Sequence, residues 1–247
     1  MIAWLREDEP FPPVDRALRA PNGLLAASDA LTPAMLRAAY RRGIFPWSSD
    51  GEPVLWWSPD PRLVLYTEEF KIARSFRKRL ALVARGDEFT VRVDAAFERV
   101  MRACAAPRPG QDGTWITAAV IDGYLALHRR GLAHSVELWR ADTLVGGLYG
   151  VALGRMFFGE SMFSRERDSS KIALAALVRL LAREGVRLVD CQQNTRHLIS
   201  LGAREITRSG FCEHVAKASA QPAIDWECYA RERQNSLLAE QLQANDG

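Results

Sequence analysis

The run "VRLVDCQQNTRH", residues 186–197, carries an apolar, strand-like segment into Asp190, Gln192, Asn194 and His197. Side chains of an extended backbone repeat direction every second residue, so Asp190 and Gln192 share one face and Cys191 turns to the other. A carboxylate and a carboxamide on one face can hold a nucleophile by hydrogen bonds, although a merely solvated strand end would carry the same letters. Cys191 and His197 do not make a nucleophile–base pair on this reading. A catalytic thiol needs an exposed thiolate of lowered pKa, and alternation buries Cys191 when its neighbours line a cleft. His197 then falls to helix capping or the core. Glu160, in "FFGESMFS", stands between Gly159 and Ser161, which leave room for a substrate backbone. An ion pair with Arg155 or Arg165 is its structural alternative.

Two tryptophans and one cationic segment point to a different ligand. Trp47 follows Pro46 and Trp115 lies in "QDGTWIT"; both positions favour exposure, and stacking of a nucleic-acid base on an aromatic is worth about 1–3 kcal/mol. Packing is the competing role, and Trp56 and Trp57 are expected to brace a small N-terminal domain against the rest. In "KIARSFRKRL", residues 71–80, Ile72, Phe76 and Leu80 recur at helical spacing among Lys71, Arg74, Arg77, Lys78 and Arg79. The pattern predicts a helix with one core face and one cationic face. Lys71, Arg74 and Lys78, at i, i+3 and i+7, project from one side and suit a phosphate backbone or plain solvent.

The elements that must position these residues follow from composition and periodicity. A chain of 247 residues, 48% hydrophobic, 26% charged and of net charge +3, can bury one large core or two modest ones. Its longest apolar runs, such as "IALAALVRLLA", stop well short of the roughly 20 residues of a membrane span. "MIAWLREDEPFPP" has no basic start, apolar stretch or cleavage site of an export signal. The four cysteines lack C-x-x-C spacing, which argues against a disulfide framework or a metal site and for a reducing compartment, the cytoplasm.

Residues 1–60, rich in Pro, Gly and Trp, are expected to form a small N-terminal α/β domain, with a helix capped by Thr32, entered at Pro33 and stopped at Gly43. Residues 61–247 alternate between strand and helix patterns: strand 62–66, helix 70–80, strand 89–93, helices 94–104 and 117–130. "HSVELWR", "TLVGGLYGVAL" and "RMFFGESMFS" then predict an antiparallel meander. A helix at about 168–184, a strand at 186–190, a short helix from Asn194 and a strand near 204–208 follow. The last dozen residues are expected to be loosely ordered. This order is that of a GNAT-like acyltransferase, whose acyl donor sits where two central strands part. An acetyl-CoA enzyme would carry a [QR]-x-x-G-x-[GA] loop before the helix that follows the meander; "SRERDSSK" has no glycine there.

"PNGLLA", "GIFPW", "LWWSPDPR", "GTWIT", "HSVELW", "VGGLYGVALG", "FGESMFS" and "DCQ" followed by "HLISLGA" occur in that order. Over residues of about 21 to 208 the chain resembles the leucyl/phenylalanyl-tRNA–protein transferase family. The resemblance implies an enzyme without cofactor that moves Leu or Phe, less often Met, from aminoacyl-tRNA to proteins beginning with Arg or Lys, creating an N-terminal degradation signal. It also implies roles for individual residues. Asp190 would orient Gln192, whose amide oxygen would position the attacking amine, and Glu160 would belong to the active site. Leu148, Phe157, Met162, Leu177 and Val189 would form the amino-acid pocket, and Trp47 and Trp115 would sandwich the terminal adenine. An acetyl-CoA-dependent N-acetyltransferase and a noncatalytic RNA-binding module are the rival readings.

Overall fold

The computed structural model describes residues 2–49, 51–107 and 114–245. In chain order the strands are β1 (Ala3–Leu5), β2 (Leu24–Ser28), β3 (Phe45–Pro46), β4 (Val54–Trp57), β5 (Arg62–Tyr66), β6 (Phe89–Val93), β7 (Ala133–Arg140), β8 (Thr143–Leu153), β9 (Met156–Ser164), β10 (Leu188–Gln192) and β11 (Arg204–Ile206). The helices are α1 (Pro33–Tyr40), α2 (Arg74–Ala84), α3 (Phe97–Ala105), α4 (Ala118–His128), α5 (Ser169–Arg183), α6 (Arg196–Ser200), α7 (Arg208–Ser219), α8 (Trp226–Ala230) and α9 (Ser236–Ala244). A four-stranded sheet has the order β1-β2-β4-β3, and a seven-stranded sheet has the order β11-β5-β10-β9-β8-β7-β6. Among the described residues no helix is long and apolar enough to cross a membrane.

The large sheet is antiparallel except where β9 runs parallel to β10. The meander β7–β8–β9, the crossover helix α5 and the parallel return in β10 give the expected GNAT-like α/β arrangement. One face buries α2, α5, α8 and α9; the opposite face buries α3, α4, α7 and the side of the molecule that carries α1 and the small sheet. Helix α1 reaches this core because Thr32 Oγ1 accepts the Met35 N–H at 3.3 Å and Pro33 opens the helix. Gly43, at φ +71°, then turns the chain out of it.

Two register slips break the alternation of the central strands. Tyr149 pairs with Ser161 and Gly150 with Gly159, so Glu160 is an extra residue in β9. Gly150 permits this close approach, since a Cβ there would lie 2.3 Å from the Phe158 carbonyl oxygen. Beyond the bulge the faces exchange, which puts Phe157 and Met162 on the same α5-facing side. A second slip separates Asp190, opposite Val64, from Gln192, opposite Leu63, and Gln192 adopts φ +61°. Strands β9 and β10 pair only at Val189–Phe157 and Asp190–Phe158 and then part.

Two expectations from the sequence are corrected, and a third stands. Helix α2 begins at Arg74, so Lys71 precedes it, held by its N–H on the Leu201 carbonyl at 2.9 Å. Residues 236–245, the described part of the final dozen, are not loose: α9 packs on α2 and α5 and buries Leu237 and Leu238 completely. Trp56 and Trp57 sit, as expected, in the core that the small sheet shares with α3, α4 and α7, with Trp56 donating to Ser28 Oγ at 2.8 Å and Trp57 to the Trp47 carbonyl at 2.6 Å.

Candidate active site

A cleft of about 900 Å³ opens where β9 and β10 part. It brings together Glu160, Asp190 and Gln192, the tryptophans Trp47 and Trp115, and the apolar group Leu148, Phe157, Met162, Leu177 and Val189. Gln111–Gly113, the first part of "QDGTWIT", lie outside the described residues.

The polar wall is built from the strand ends upward. Arg62, at the start of β5, is 1% exposed and donates from Nε to Asp190 Oδ1 at 2.8 Å and from Nη2 to Oδ2 at 2.6 Å. Its Nη1 reaches the Gly43 carbonyl at 3.2 Å, and its guanidinium lies 4.6 Å and 4.5 Å from the ring centres of Phe45 and Phe211. A buried charge pair persists only when its remaining valences are satisfied, as they are here. Asp190 does not meet the Gln192 side chain. Its Oδ1 accepts the Gln192 backbone N–H at 2.9 Å, which pins the left-handed bulge instead. The alternation expected to put both side chains on one face is broken at that slip.

Gln192 reaches across the gap between the strands and donates from Nε2 to Glu160 Oε1 at 2.8 Å. Because a carboxyl group takes the amide N–H, the Gln192 carbonyl oxygen is the end left to face a ligand. Glu160 also accepts from Tyr40 at 2.6 Å and Tyr124 at 2.8 Å, and the two phenols touch each other. Burial raises the Glu160 pKa to about 8 against the opposing pull of the two hydroxyls; Asp190 adds to the rise and Arg62 reduces it. The expected alternative, an ion pair with Arg155 or Arg165, is not formed: Arg155 pairs with Glu184 at 2.9 Å and Arg165 donates to the Leu144 carbonyl at 3.2 Å.

The opposite wall is apolar. Leu148 and Met162 are cross-strand partners on β8 and β9, Leu177 comes from α5 and Val189 from β10. Leu148, Phe157, Leu177 and Val189 are buried, whereas Met162 is half-buried. Cys191, expected to face away, lines this cleft as well. Burial pushes its thiol pKa up, so it is no thiolate nucleophile. His197 is neither core nor cap: it is exposed on α6, lines the cleft, and has its pKa lowered by burial and by Lys171, while Thr195 caps the helix. Trp47, 42% exposed, packs edge-on against Trp57 at 5.7 Å.

Lys71, Arg74 and Lys78 are exposed and lie outside the cleft lining. Arg77 is half-buried and donates to the Asn245 carbonyl at 3.3 Å. Helix α5 opens on Asp168, paired with Lys171 at 2.9 Å, which sets a carboxylate where an acetyl-CoA enzyme would present backbone N–H groups to a diphosphate. Among the described residues Asp94, His128 and His134 hold ligand-type atoms within 4.8 Å of one another. Hydrogen bonds account for them, since both ring nitrogens of His134 face acceptors, Asp94 at 2.7 Å and the Gly131 carbonyl at 3.1 Å.

Sequence reasoning missed Arg62, Tyr40 and Tyr124. Arg62 left one signal, a lone cation opening the apolar strand "RLVLY". The tyrosines left none, since each occupies a core position of an apolar helix face.

Comparison with known proteins bears on the whole chain. A family profile described as "Leucyl/phenylalanyl-tRNA protein transferase" matches residues 64–216, and one for the N-terminal domain of the same family matches residues 29–60. Leucyl/phenylalanyl-tRNA--protein transferase of Paraburkholderia phymatum is 60% identical over 92% of this chain and 94% of its own length. The protein of that name from Burkholderia pseudomallei is 60% identical over 92% of this chain and 90% of its own. Among solved structures, that of FemX aligns with a TM-score of 0.45 at 9% identity, over 77% of this chain and 73% of the other. The chain belongs to the leucyl/phenylalanyl-tRNA–protein transferase family.

Proposed function

We propose that this protein transfers Leu or Phe, and less often Met, from aminoacyl-tRNA to the α-amino group of cytoplasmic proteins that begin with Arg or Lys, and so creates an N-terminal degradation signal. The observation that carries this reading is the two-walled cleft at the strand split, with Glu160 and Gln192 bridged at 2.8 Å opposite an apolar pocket. The aminoacyl side chain enters among Leu148, Phe157, Met162, Leu177 and Val189, its ester carbonyl faces Gln192, and the terminal adenine stacks between Trp47 and Trp115. Gln192 accepts a hydrogen bond from the incoming amine and aims its lone pair at the ester carbon. A carboxamide is too weak a base to take the proton, so Gln192 positions and does not titrate. Asp190 and Arg62 act through the Gln192 backbone. Residues 1–60 serve as the small domain that presents Trp47, and residues 61–247 as the catalytic domain.

Lys71, Arg74 and Lys78 meet tRNA phosphates outside the cleft, with Arg77 turned toward the C-terminal helix at its edge. Contacts to the backbone carry no sequence information, which suits an enzyme that accepts tRNAs for different amino acids. The direct assay incubates labelled leucyl-tRNA with peptides starting with Arg, Lys or Ala. Transfer to the first two and not the third is expected; transfer to none, or acetylation from acetyl-CoA instead, would refute the reading.

A further inference from the structure

We infer that Tyr40, Tyr124 and Glu160 form a ring that, with Glu160 ionised, takes the proton the acceptor α-ammonium must lose before it can attack, and so closes with three protons. The inference rests on the transfer reaction proposed above. Its basis is a count of protons. Three oxygen–oxygen contacts join the groups: Tyr40 to Tyr124, Tyr40 to Glu160 Oε1 at 2.6 Å, and Tyr124 to Glu160 Oε2 at 2.8 Å. The two phenols supply two protons, and the Gln192 N–H at 2.8 Å from Oε1 is a fourth contact with its own proton. Every ring contact is therefore a hydrogen bond only when Glu160 is protonated. The carboxyl O–H at Oε2 then donates to Tyr124, Tyr124 to Tyr40, and Tyr40 to Oε1. When the ring loses that proton, both phenols turn onto the carboxylate and the contact between them holds no hydrogen. The anion is thus a ring one proton short.

Surroundings tune its proton affinity. Tyr40 arrives on α1 and Tyr124 on α4, both fully buried, whereas Glu160 is half-buried and lines the cleft. Tyr149 on β8 faces the ring with its hydroxyl buried and its ring edge against Tyr124 at 5.7 Å; Cys104 on α3 acts on Tyr149. Asp190 on β10 and Arg62 on β5 act on Glu160 in opposite senses. Burial first, then the charge of Glu160, drives both phenol pKa values well above their ordinary range, so neither phenol ionises in place of the carboxyl. The Glu160 value of about 8 matches an α-ammonium, ordinarily about 7.7–8.0. Proton exchange between the two is then close to even, the condition for efficient transfer.

Atoms and charges balance through the reaction. The α-ammonium gives one proton to the Glu160 carboxylate and becomes an amine. Its lone pair forms the C–N bond, the bond from the carbonyl carbon to the ribose oxygen breaks, and the second proton of that nitrogen ends on the ribose oxygen. The ring returns its proton to water as the products leave the cleft.

Infrared difference spectra between wild type and Glu160→Gln, taken across pH values bracketing 8, test the ring itself. A carboxylic-acid carbonyl band is expected that vanishes with a midpoint near 8. Tyr40→Phe and Tyr124→Phe each remove a hydroxyl that steadies the carboxylate, so the midpoint moves alkaline in both. In parallel, turnover of leucyl-tRNA with an Arg-starting peptide falls about tenfold at neutral pH for each unit moved. It recovers at higher pH, whereas a merely structural defect lowers turnover equally at all pH values. An ionised Glu160 throughout, or phenylalanine variants whose pH profiles run parallel to wild type, overturns the ring. Failure of the wild type to transfer at all overturns the parent reaction, and the infrared titration still decides how many protons the ring holds.

Discussion

The two faces of the seven-stranded sheet meet the same cleft with opposite chemistry. On the α5 side the pocket is made of Leu148, Phe157, Met162, Leu177 and Val189, residues that ask only for contact. On the other side Arg62, Asp190, Tyr40, Tyr124 and Glu160 form one polar network joined through Gln192, with the first four at most 1% exposed. Apolar packing weakens in proportion to the area removed. A buried polar network fails abruptly, because each partner removed leaves another unpaired. The apolar wall is therefore the place where specificity can be graded, and the polar wall is the place where the reacting geometry is fixed.

The largest effect expected is on stability at the polar wall. Asp190→Ala leaves the buried Arg62 charge without its counter-ion and orphans the Gln192 N–H, which costs about 3–5 kcal/mol by chemical denaturation. Replacing both partners, Arg62→Met with Asp190→Leu, is expected to recover most of that loss while transfer stays low, since nothing then pins the left-handed turn at Gln192. Recovery of both would reduce the pair to a structural one. Gln192→Ala, at the rim of the same network, is expected to lower turnover about a hundredfold with tRNA affinity unchanged.

At the apolar wall Met162→Ala is expected to weaken transfer of Leu by about 1–3 kcal/mol and to shift the product ratio toward bulkier side chains. An unchanged ratio in a competition between aminoacyl-tRNAs would assign Met162 to packing alone. The smallest effect belongs to the surface outside both walls. Neutral replacements of Lys71, Arg74 and Lys78 are expected to flatten the log–log dependence of tRNA affinity on salt by about 0.7–0.9 for each phosphate no longer neutralised. Binding of a short aminoacyl-adenosine analogue should not change, because it reaches only the pocket and the tryptophans.

The pH dependence of stability also separates the walls. Folded Glu160 holds a proton up to about pH 8, whereas the unfolded carboxyl releases it near 4.5. Its share of stability is therefore complete below about 4.5 and is lost as pH rises through 8. Wild type should lose stability across that window more steeply than Glu160→Gln, as read by denaturation at several pH values.

Legibility in the sequence followed the range of the interactions. The meander and α5 were readable because turn glycines and apolar periods are local signals, and so was the cap at Thr32. Family motifs carried Glu160, Gln192 and the pocket positions onto the chain, and the cleft gathers those residues. What could not be read was the bulges, which invert the alternation on both sides of Glu160 and at Gln192. The partners that hold the site were hidden too, since Arg62 lies 128 residues from Asp190 and Tyr40 lies 120 from Glu160. Lys71 was assigned to a helix because its spacing fitted, although a tertiary bond to Leu201 fixes it ahead of α2.

The division of labour between the walls is tested most directly by one competition. Leucyl-tRNA and phenylalanyl-tRNA are offered together with an Arg-starting peptide to wild type, Gln192→Ala and Met162→Ala, and both products are followed in a single turnover. Gln192→Ala should slow the two products by the same factor and leave their ratio at the wild-type value, whereas Met162→Ala should change the ratio. A ratio that moves in Gln192→Ala and stays fixed in Met162→Ala would contradict the account.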